Sequence, residues 1–258
     1  RIALYLDQRL EVIDRCASCK PDNILQCATF ESIEKVIVYA VVQMLLDAVG
    51  DGASHLDRAQ FELILSTRRA LHWSVAKPET YGEIYQALAA AEQLVSLRYQ
   101  YRDGFHFDSV KAMFDAYTEE LFLIDQNYRR FNEHAIWVKN HSGEVLQQLR
   151  DAVEELYSNW YLYELGVTWD RLLEQDQMLD QWSITGVPAQ QSFFKEQIQK
   201  RLERGKVKRL FVIVSDALRY EVGAELLNQI NLEKRFKAEI TAQLGVLPSY
   251  TQLGMAAL

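Results

Sequence analysis

The chain has 258 residues, of which 49% are hydrophobic and 11% aromatic, so it can bury a substantial core in one or two domains. Its formal net charge of -8 argues against indiscriminate binding of nucleic acid over the whole surface. The most apolar run, residues 36–49, is interrupted by Gln43 and Asp47 and is too short to cross a bilayer, and the first residues lack the pattern of a secretory signal. We therefore expect a cytoplasmic protein without membrane contact.

Residues 1–185 are predicted to form an array of helices, because apolar side chains recur there at the spacing of one helix face. The segment after Thr29, a candidate N-cap, has the widest apolar face and is predicted to be the central, most buried helix. Thr80 and Glu83 have the spacing of a capping box, and Gly166 is expected to end a helix. The predicted helices cover residues 2–20, 29–50, 56–69, 80–104, 108–137, 142–166 and 167–182.

Cys16 and Cys19 form a Cys-x-x-Cys pair, a spacing found in zinc sites. A structural zinc needs four ligands, however, and no histidine lies nearer in the sequence than His55. The two cysteines also lie one helical turn apart, as buried thiols do. We therefore favour free cysteines in a reducing compartment over a metal site.

Residues 183–188 are the best candidate for a linker, because Thr-Gly and Pro interrupt the apolar pattern there. A short connecting helix is predicted over residues 190–204. Basic side chains cluster at its end and just beyond it, where Lys206, Lys208 and Arg209 are candidate phosphate contacts. The alternative is that the basic side chains complement the dipole of this helix and form a solvated face.

The last part of the chain has an alternation of strand and helix patterns. Residues 210–214 are consecutive apolar residues rich in β-branched and aromatic side chains, typical of a strand buried on both faces of a parallel sheet. Asp216 follows this strand, at the edge where ligands of open α/β sheets bind. A helix over residues 220–230 and a second strand over residues 235–244 are predicted next. Thr251 follows a turn and precedes a last helix.

Asp216 and Thr251 are candidate site residues, but each also has a purely structural interpretation as an N-cap. The two interpretations do not exclude each other. A nucleophile at a helix N-terminus gains from the dipole and from free N–H groups, which also receive phosphate oxygens. The residues alone therefore leave both roles open.

Two runs, VIVSDALRYEV at residues 212–222 and LPSYTQLGMAAL at residues 247–258, resemble the start of a PglZ domain. PglZ proteins belong to the bacterial BREX phage-defence systems, and their domain is related to the alkaline phosphatase superfamily. The helical run from Tyr117 to Lys195 is similar to the upstream region of the type A (BREX type 1) proteins. The resemblance implies a mainly α helical array followed by the first strands and helices of a truncated α/β alkaline-phosphatase-like domain.

With this resemblance, the chain is expected to have three parts. Residues 1–185 would be a helical domain, residues 186–206 a linker and connecting helix, and residues 207–258 the N-terminal part of the PglZ domain. The absent N-terminal methionine and a fold that stops after two strands indicate a fragment.

The resemblance also implies a chemistry. In the superfamily an Asp after the first core strand binds a metal, and a Ser or Thr after a proline is the nucleophile. These roles fall on Asp216 and on Thr251, whose hydroxyl would also ligate one of two divalent cations, zinc or manganese. The full-length protein would be a metal-dependent phosphatase, phosphodiesterase or nuclease. Further ligands would lie beyond Leu258, so the fragment alone is expected to be inactive, with no metal bound.

This site gives a geometric expectation. The two side chains should approach within roughly 3–4 Å when a metal is bound and within about twice that distance without one.

The expected partners are other BREX components, among them a small BrxB-like subunit, which the helical part would dock. Nucleic acid stays open as a partner of the full-length protein. The alternative to a hydrolase is a non-catalytic scaffold that docks other BREX components.

Overall fold

The computed structural model describes residues 2–50, 56–203 and 209–258, and these residues are mainly helical. The α-helices are α1 (Ile2–Arg9), α2 (Val12–Cys16), α3 (Pro21–Ile24), α4 (Glu31–Gly50), α5 (Arg58–Arg69), α6 (His72–Ala76), α7 (Glu83–Gln100), α8 (Val110–Ala116), α9 (Phe122–Ser142), α10 (Gln147–Glu155), α11 (Tyr163–Gln175), α12 (Lys200–Glu203), α13 (Tyr220–Leu232) and α14 (Thr251–Ala256). Shorter π-helical segments lie at Pro78–Gly82, Tyr117–Leu121, Leu156–Leu162 and Phe194–Gln199, and a 3₁₀ turn lies at Gln190–Ser192. Within the described ranges, no helix combines the length and the apolar character needed to cross a membrane.

The chain divides into two compact units, each made of two stretches of sequence. The first unit comprises Arg1–Phe105 and Ile124–Leu165, and the second comprises His106–Leu123 and Gly166–Leu258. The second unit therefore contains both candidate site residues. It also contains the short segment His106–Leu123, which lies about a hundred positions before Asp216 in the sequence.

The core of the first unit is built around α4, as the width of its apolar face predicts. Ile37, Val41 and Leu45 recur every four residues on α4 and are completely buried. Helix α4 packs against α7 and α10 of the same unit. The predicted central helix is therefore confirmed.

A buried ion pair links three helices of this core. Arg68 of α5 and Glu34 of α4 are both completely buried and contact each other, and the Tyr85 hydroxyl of α7 donates to the same carboxylate. The Arg68 guanidinium also donates to the carbonyls of Leu25 and Cys27 at 2.9 and 3.0 Å. Burial alone would lower the pKa of Arg68, but the Glu34 carboxylate outweighs it and raises that pKa. Every polar group of the pair thus has a partner inside the core.

The prediction that Thr29 is the N-cap of α4 is wrong, and the carboxylate of Asp7, distant in sequence, binds the first turn of the helix instead. The helix begins at Glu31, one residue too late for Thr29 to be its N-cap. The buried side chain of Asp7 instead accepts a hydrogen bond from the Ser32 N–H at 3.2 Å. A carboxylate from α1 therefore satisfies a free donor in the first turn of α4.

The predicted capping box at Thr80 and Glu83 is not formed either. The helical backbone already begins at Pro78, so Thr80 lies inside the π-helical turn. Its hydroxyl accepts from Ser142 at 3.2 Å, and the Glu83 carboxylate lies 2.6 Å from the His134 ring nitrogen. Both side chains make tertiary contacts in place of the local cap.

Some predicted helix boundaries also differ from the structure. Helix α11 passes through Gly166 without a break, because an exposed glycine inside a helix costs only about 1 kcal/mol relative to alanine. The predicted helix over residues 167–182 is shorter than expected and is followed by Gln177 at a left-handed φ of 53°. Glu11, at φ 49°, divides the predicted helix over residues 2–20 in the same way.

In the second unit, α13 and α14 lie where the sequence predicts them, but the two predicted strands are not formed. Among the described residues, the β pairing is a single parallel bridge between Ala189 and Leu244. The side chains of Phe211 and Ile213 are 84% and 92% exposed. A central parallel strand needs hydrogen-bonded neighbours on both edges, and residues 210–214 pair with none of the described residues. The alkaline-phosphatase-like α/β fold therefore stays a prediction.

Candidate active site

The structure brings Asp216 and Thr251 together. The Thr251 hydroxyl donates to Oδ2 of Asp216 at 3.1 Å, although the two residues are 35 positions apart. The distance falls within the range expected from the sequence. The catalytic and metal-binding roles of the two residues stay predictions.

Neither Asp216 nor Thr251 is the N-cap of a helix, so the alternative that these two residues serve only as N-caps is wrong. Helix α13 begins at Tyr220 with Arg219 in the N-cap position, three residues after Asp216. Thr251 is the first residue of α14, and the extended Tyr250 occupies the N-cap position. The side chains of Asp216 and Thr251 are therefore available to each other.

The loop that carries Asp216 has an unusual backbone. Ala217, the next residue, adopts a left-handed φ of 54°, which costs a residue with a Cβ roughly 1–2 kcal/mol. Strained residues of this kind persist where the surrounding structure holds them, and they are frequent at functional sites. Ala217 thus lies in the short turn between Asp216 and the start of α13 at Tyr220.

Tyr220 fixes the start of α13 within the second unit. Its hydroxyl donates to the Thr118 carbonyl at 3.1 Å, and its ring packs against the rings of Tyr117 and Phe122 at centroid distances of 6.0 and 5.4 Å. Burial raises the pKa of the Tyr220 phenol. Residues 117–122 thus hold the helix that follows Asp216, a contribution that the sequence analysis missed because no local pattern links such distant segments.

The segment before Thr251 is held by residues 182–190, which were predicted to be the end of a helix, a linker and the start of the connecting helix. The Gln190 N–H donates to the Leu244 carbonyl at 2.9 Å, and the Leu244 N–H donates to the Pro188 carbonyl at 2.8 Å. The Trp182 indole donates to the Gly245 carbonyl at 2.7 Å. Residues 182–190 therefore run along the chain that leads to Thr251.

A hollow of about 560 Å³ opens around Asp216 and Thr251; we call it the Thr251 hollow. Its walls also include Gln190, Val214, Ser215, Ala217, Leu218, Gln243, Gly245, Val246, Ser249, Tyr250, Gly254, Met255 and Leu258. Among the described residues that line it, Asp216 alone carries a charged side chain. The size is within the range of ligand sites, and a bound phosphate would meet a carboxylate and hydroxyls there.

The candidate phosphate contacts are not part of this hollow as far as the structure describes them. Arg209 is exposed and does not line it. Lys206 and Lys208 lie outside the described residues. Their contact with phosphate stays a prediction.

The cysteines at the other end of the chain are half-buried or exposed, and the preference for free thiols over a metal site stays a prediction. Cys16, Cys19 and Cys27 form no disulfide, and burial, followed by the neighbouring Cys19, raises the pKa of Cys16. In the described part of the chain, no group of three or more His, Cys, Asp or Glu side chains could hold a metal ion.

Comparison with known proteins shows which family the chain is similar to. Residues 193–258 match the family described as the BREX system PglZ alkaline phosphatase-like domain, a range that contains both Asp216 and Thr251. The chain is 49% identical over 256 residues to the "Alkaline phosphatase-like protein BrxZ" of Escherichia coli O9:H4 (strain HS), an alignment that covers 99% of this chain and 29% of that protein. It is 32% identical over 257 residues to the "Alkaline phosphatase-like protein PglZ" of Bacillus cereus (strain H3081.97), covering 100% of this chain and 28% of that protein.

The chain therefore belongs to the PglZ family of alkaline phosphatase-like BREX proteins. It spans less than a third of the length of these two curated relatives. No solved structure matches it significantly.

Proposed function

We propose that the full-length protein hydrolyses phosphoester bonds, with Thr251 as the nucleophile and Asp216 as a carboxylate ligand of a divalent metal. The observation that carries this proposal is the 3.1 Å contact between the two side chains at the Thr251 hollow. The alkaline phosphatase-like description of the family supports it.

Thr251 and Asp216 have separate tasks in this reaction. Asp216 Oδ2 accepts a hydrogen bond from the Thr251 hydroxyl and so fixes the direction of the Oγ1 lone pairs. Oγ1 forms a bond to phosphorus while the bond to the ester oxygen breaks, and the hydroxyl hydrogen ends on the departing alcohol. Water then attacks phosphorus, the bond to Oγ1 breaks, and the second product leaves. Thr251 thereby regains its hydrogen from the water.

A divalent ion such as zinc or manganese fits this pair of oxygens. Two oxygens that ligate one ion at about 2.0–2.2 Å lie roughly 3–3.5 Å apart, and the two side chains are 3.1 Å apart. A bound ion supplies a lower pKa for the hydroxyl and neutralises charge on phosphoryl oxygens. The described residues form no group of three or more His, Cys, Asp or Glu side chains that could hold a metal ion. In our proposal the remaining metal ligands therefore come from the part of the longer protein that this chain does not span.

The proposal is tested by assaying the full-length protein with zinc or manganese on a chromogenic phosphodiester, a phosphomonoester and DNA. We expect metal-dependent turnover of at least one substrate, loss of turnover after chelation, and none from the 258-residue chain alone, because two oxygens do not complete a catalytic metal site. The three substrates distinguish a phosphodiesterase, a phosphatase and a nuclease.

Two results would contradict this expectation. If the full-length protein turns over none of the substrates with either metal, the hydrolase proposal fails. If the 258-residue chain shows metal-dependent turnover, the site does not need ligands from elsewhere.

We also propose that the helical part docks other BREX components, a small BrxB-like subunit among them. The first unit has a hollow of about 620 Å³ whose walls are mostly apolar, and Ile13, Val36, Tyr39, Ile84 and Val145 line it. Tyr39 at its rim is 64% exposed. Exposed aromatic side chains beside an apolar pocket are typical of the centres of protein interfaces.

Replacing Tyr39 by glutamate is expected to reduce the amount of BREX components that co-purify with the full-length protein about tenfold, because a charge would be buried in an apolar contact. Leu63→Glu is the matched control, since Leu63 on α5 is 54% exposed and does not line this hollow. Equal recovery with Tyr39→Glu and the unsubstituted protein would count against docking at this surface.

A further inference from the structure

Gln190 joins the two pieces of chain on either side of the turn before Thr251. Its side-chain Oε1 accepts a hydrogen bond from the Val246 N–H at 3.1 Å. Its Nε2 donates to the Gly254 carbonyl, in the middle of α14, at 2.8 Å. One amide group therefore bridges the residue five positions before Thr251 and the residue three positions after it.

The backbone of Gln190 is held at the same place. Its N–H donates to the Leu244 carbonyl at 2.9 Å, next to the parallel bridge between Ala189 and Leu244. The Gln190 backbone is therefore held against Leu244, and the side-chain amide is held by its two hydrogen bonds. The position of α14 relative to residues 244–246 is consequently set by a short and doubly anchored contact.

Such a contact is needed at α14 because the helix has few other restraints. It is six residues long, has no side-chain cap, and has no buried residue. A helix of this length is not stable through its own hydrogen bonds, so tertiary contacts decide where it lies. Thr251 is its first residue, and the direction of its hydroxyl follows the helix.

We propose that Gln190 is a positioning residue for Thr251: its amide holds α14 so that the Thr251 hydroxyl faces Asp216. This inference rests on the proposed function for its catalytic consequence. The geometric part, that Gln190 fixes α14, is independent of any activity. Residues 193–258 match the PglZ domain, so Gln190 lies outside the matched range.

The two hydrogen bonds of the amide can be separated by substitution. Gln190→Ala removes both. Gln190→Glu keeps an acceptor for the Val246 N–H but places a carboxylate oxygen against the Gly254 carbonyl oxygen, which is repulsive. Gln191→Ala is the matched control, because Gln191 is the exposed neighbour of the same type.

The test uses the full-length protein and begins with amide hydrogen exchange. In Gln190→Ala the Val246 N–H loses its acceptor, and α14 loses the hydrogen bond that holds the Gly254 carbonyl. We expect exchange of the Val246 N–H to become about five- to tenfold faster, and exchange of the Gly254 and Ala257 N–H groups, which donate within the helix turns, to become faster by a similar factor because α14 opens more often. In Gln190→Glu only the α14 amides should exchange faster. Gln191→Ala should leave all of them unchanged. Unchanged α14 exchange in both Gln190 variants would overturn the inference.

The second readout is the metal-dependent hydrolysis of the same variants. A misplaced nucleophile lowers kcat with little change in KM, and we expect about a 10- to 100-fold lower kcat for both Gln190 variants. Faster exchange of α14 with an unchanged kcat would show that Gln190 supports the fold without positioning Thr251. If the unsubstituted protein hydrolyses nothing, the proposed function fails, and the exchange data still decide whether Gln190 fixes α14.

Discussion

Thr251→Ala in the full-length protein is expected to lower the metal-dependent hydrolysis rate by a factor on the order of 10³ or more. The reason is that alanine has no oxygen to form the bond to phosphorus, and removal of a nucleophile leaves only the rate supplied by binding and charge stabilisation. Asp216→Asn should have a similar effect, because an amide oxygen holds a metal weakly and no longer accepts the Thr251 hydrogen as a carboxylate does. The measurement is kcat and kcat/KM on the best of the three substrates.

The hydroxyl at position 249 gives the control. Ser249 lines the same hollow two residues before Thr251, so Ser249→Ala removes an oxygen from the same wall without touching the contact with Asp216. We expect Ser249→Ala to keep its activity within about tenfold, and Thr251→Ser to keep part of it, since serine still supplies a hydroxyl. Full activity of Thr251→Ala would exclude this residue as the nucleophile. All variants are exposed-site changes and should unfold at the same temperature as the unsubstituted protein.

Arg68→Met is expected to lower the free energy of unfolding by about 3–5 kcal/mol, a large part of the total stability of a domain. Methionine fills the space of the aliphatic part of the side chain but leaves the Glu34 carboxylate buried without its cation. The carbonyls of Leu25 and Cys27 lose their donor at the same time. Chemical denaturation of the 258-residue chain, followed by circular dichroism, measures the effect.

Two further variants show whether the unpaired charge is the cause. Arg68→Met combined with Glu34→Gln removes both charges and keeps an acceptor for the Tyr85 hydroxyl, so we expect it to recover roughly 2 kcal/mol relative to Arg68→Met. Arg102→Met removes a half-exposed arginine and should cost less than about 1 kcal/mol. A cost for Arg68→Met as small as that for Arg102→Met would mean that the buried pair does not stabilise the core.

The elements that the sequence predicted well are those whose pattern is local and strong. The central helix α4 has apolar residues over so much of its surface that it must be buried among other helices. Helix α13 and the start of α14 at Thr251 also lie where predicted. Asp216 and Thr251 were found through a family motif, and no periodicity of the chain would have joined them.

The elements that the sequence predicted poorly depend on partners. Thr29 has the chemistry of an N-cap, but Asp7 reaches the first turn of α4 because α1 packs beside it. Residues 210–214 have the composition of a buried strand, yet a strand exists only when neighbouring strands pair with it. Residues 183–188 have the composition of a linker, whereas the Pro188 carbonyl and the neighbouring Trp182 bind residues 244–245.

The sequence by itself therefore determined the helical character of the chain, because apolar side chains recur at helical spacing. Its motifs also gave the family, and the resemblance to that family made Asp216 and Thr251 the candidate site residues. The tertiary structure alone decided that the Thr251 hydroxyl meets Asp216, that Gln190 spans from Val246 to Gly254, and that Arg68 is neutralised by Glu34. Each of these contacts joins segments far apart in the chain. Their formation depends on the free energy of packing the whole unit, which no local pattern of residues records.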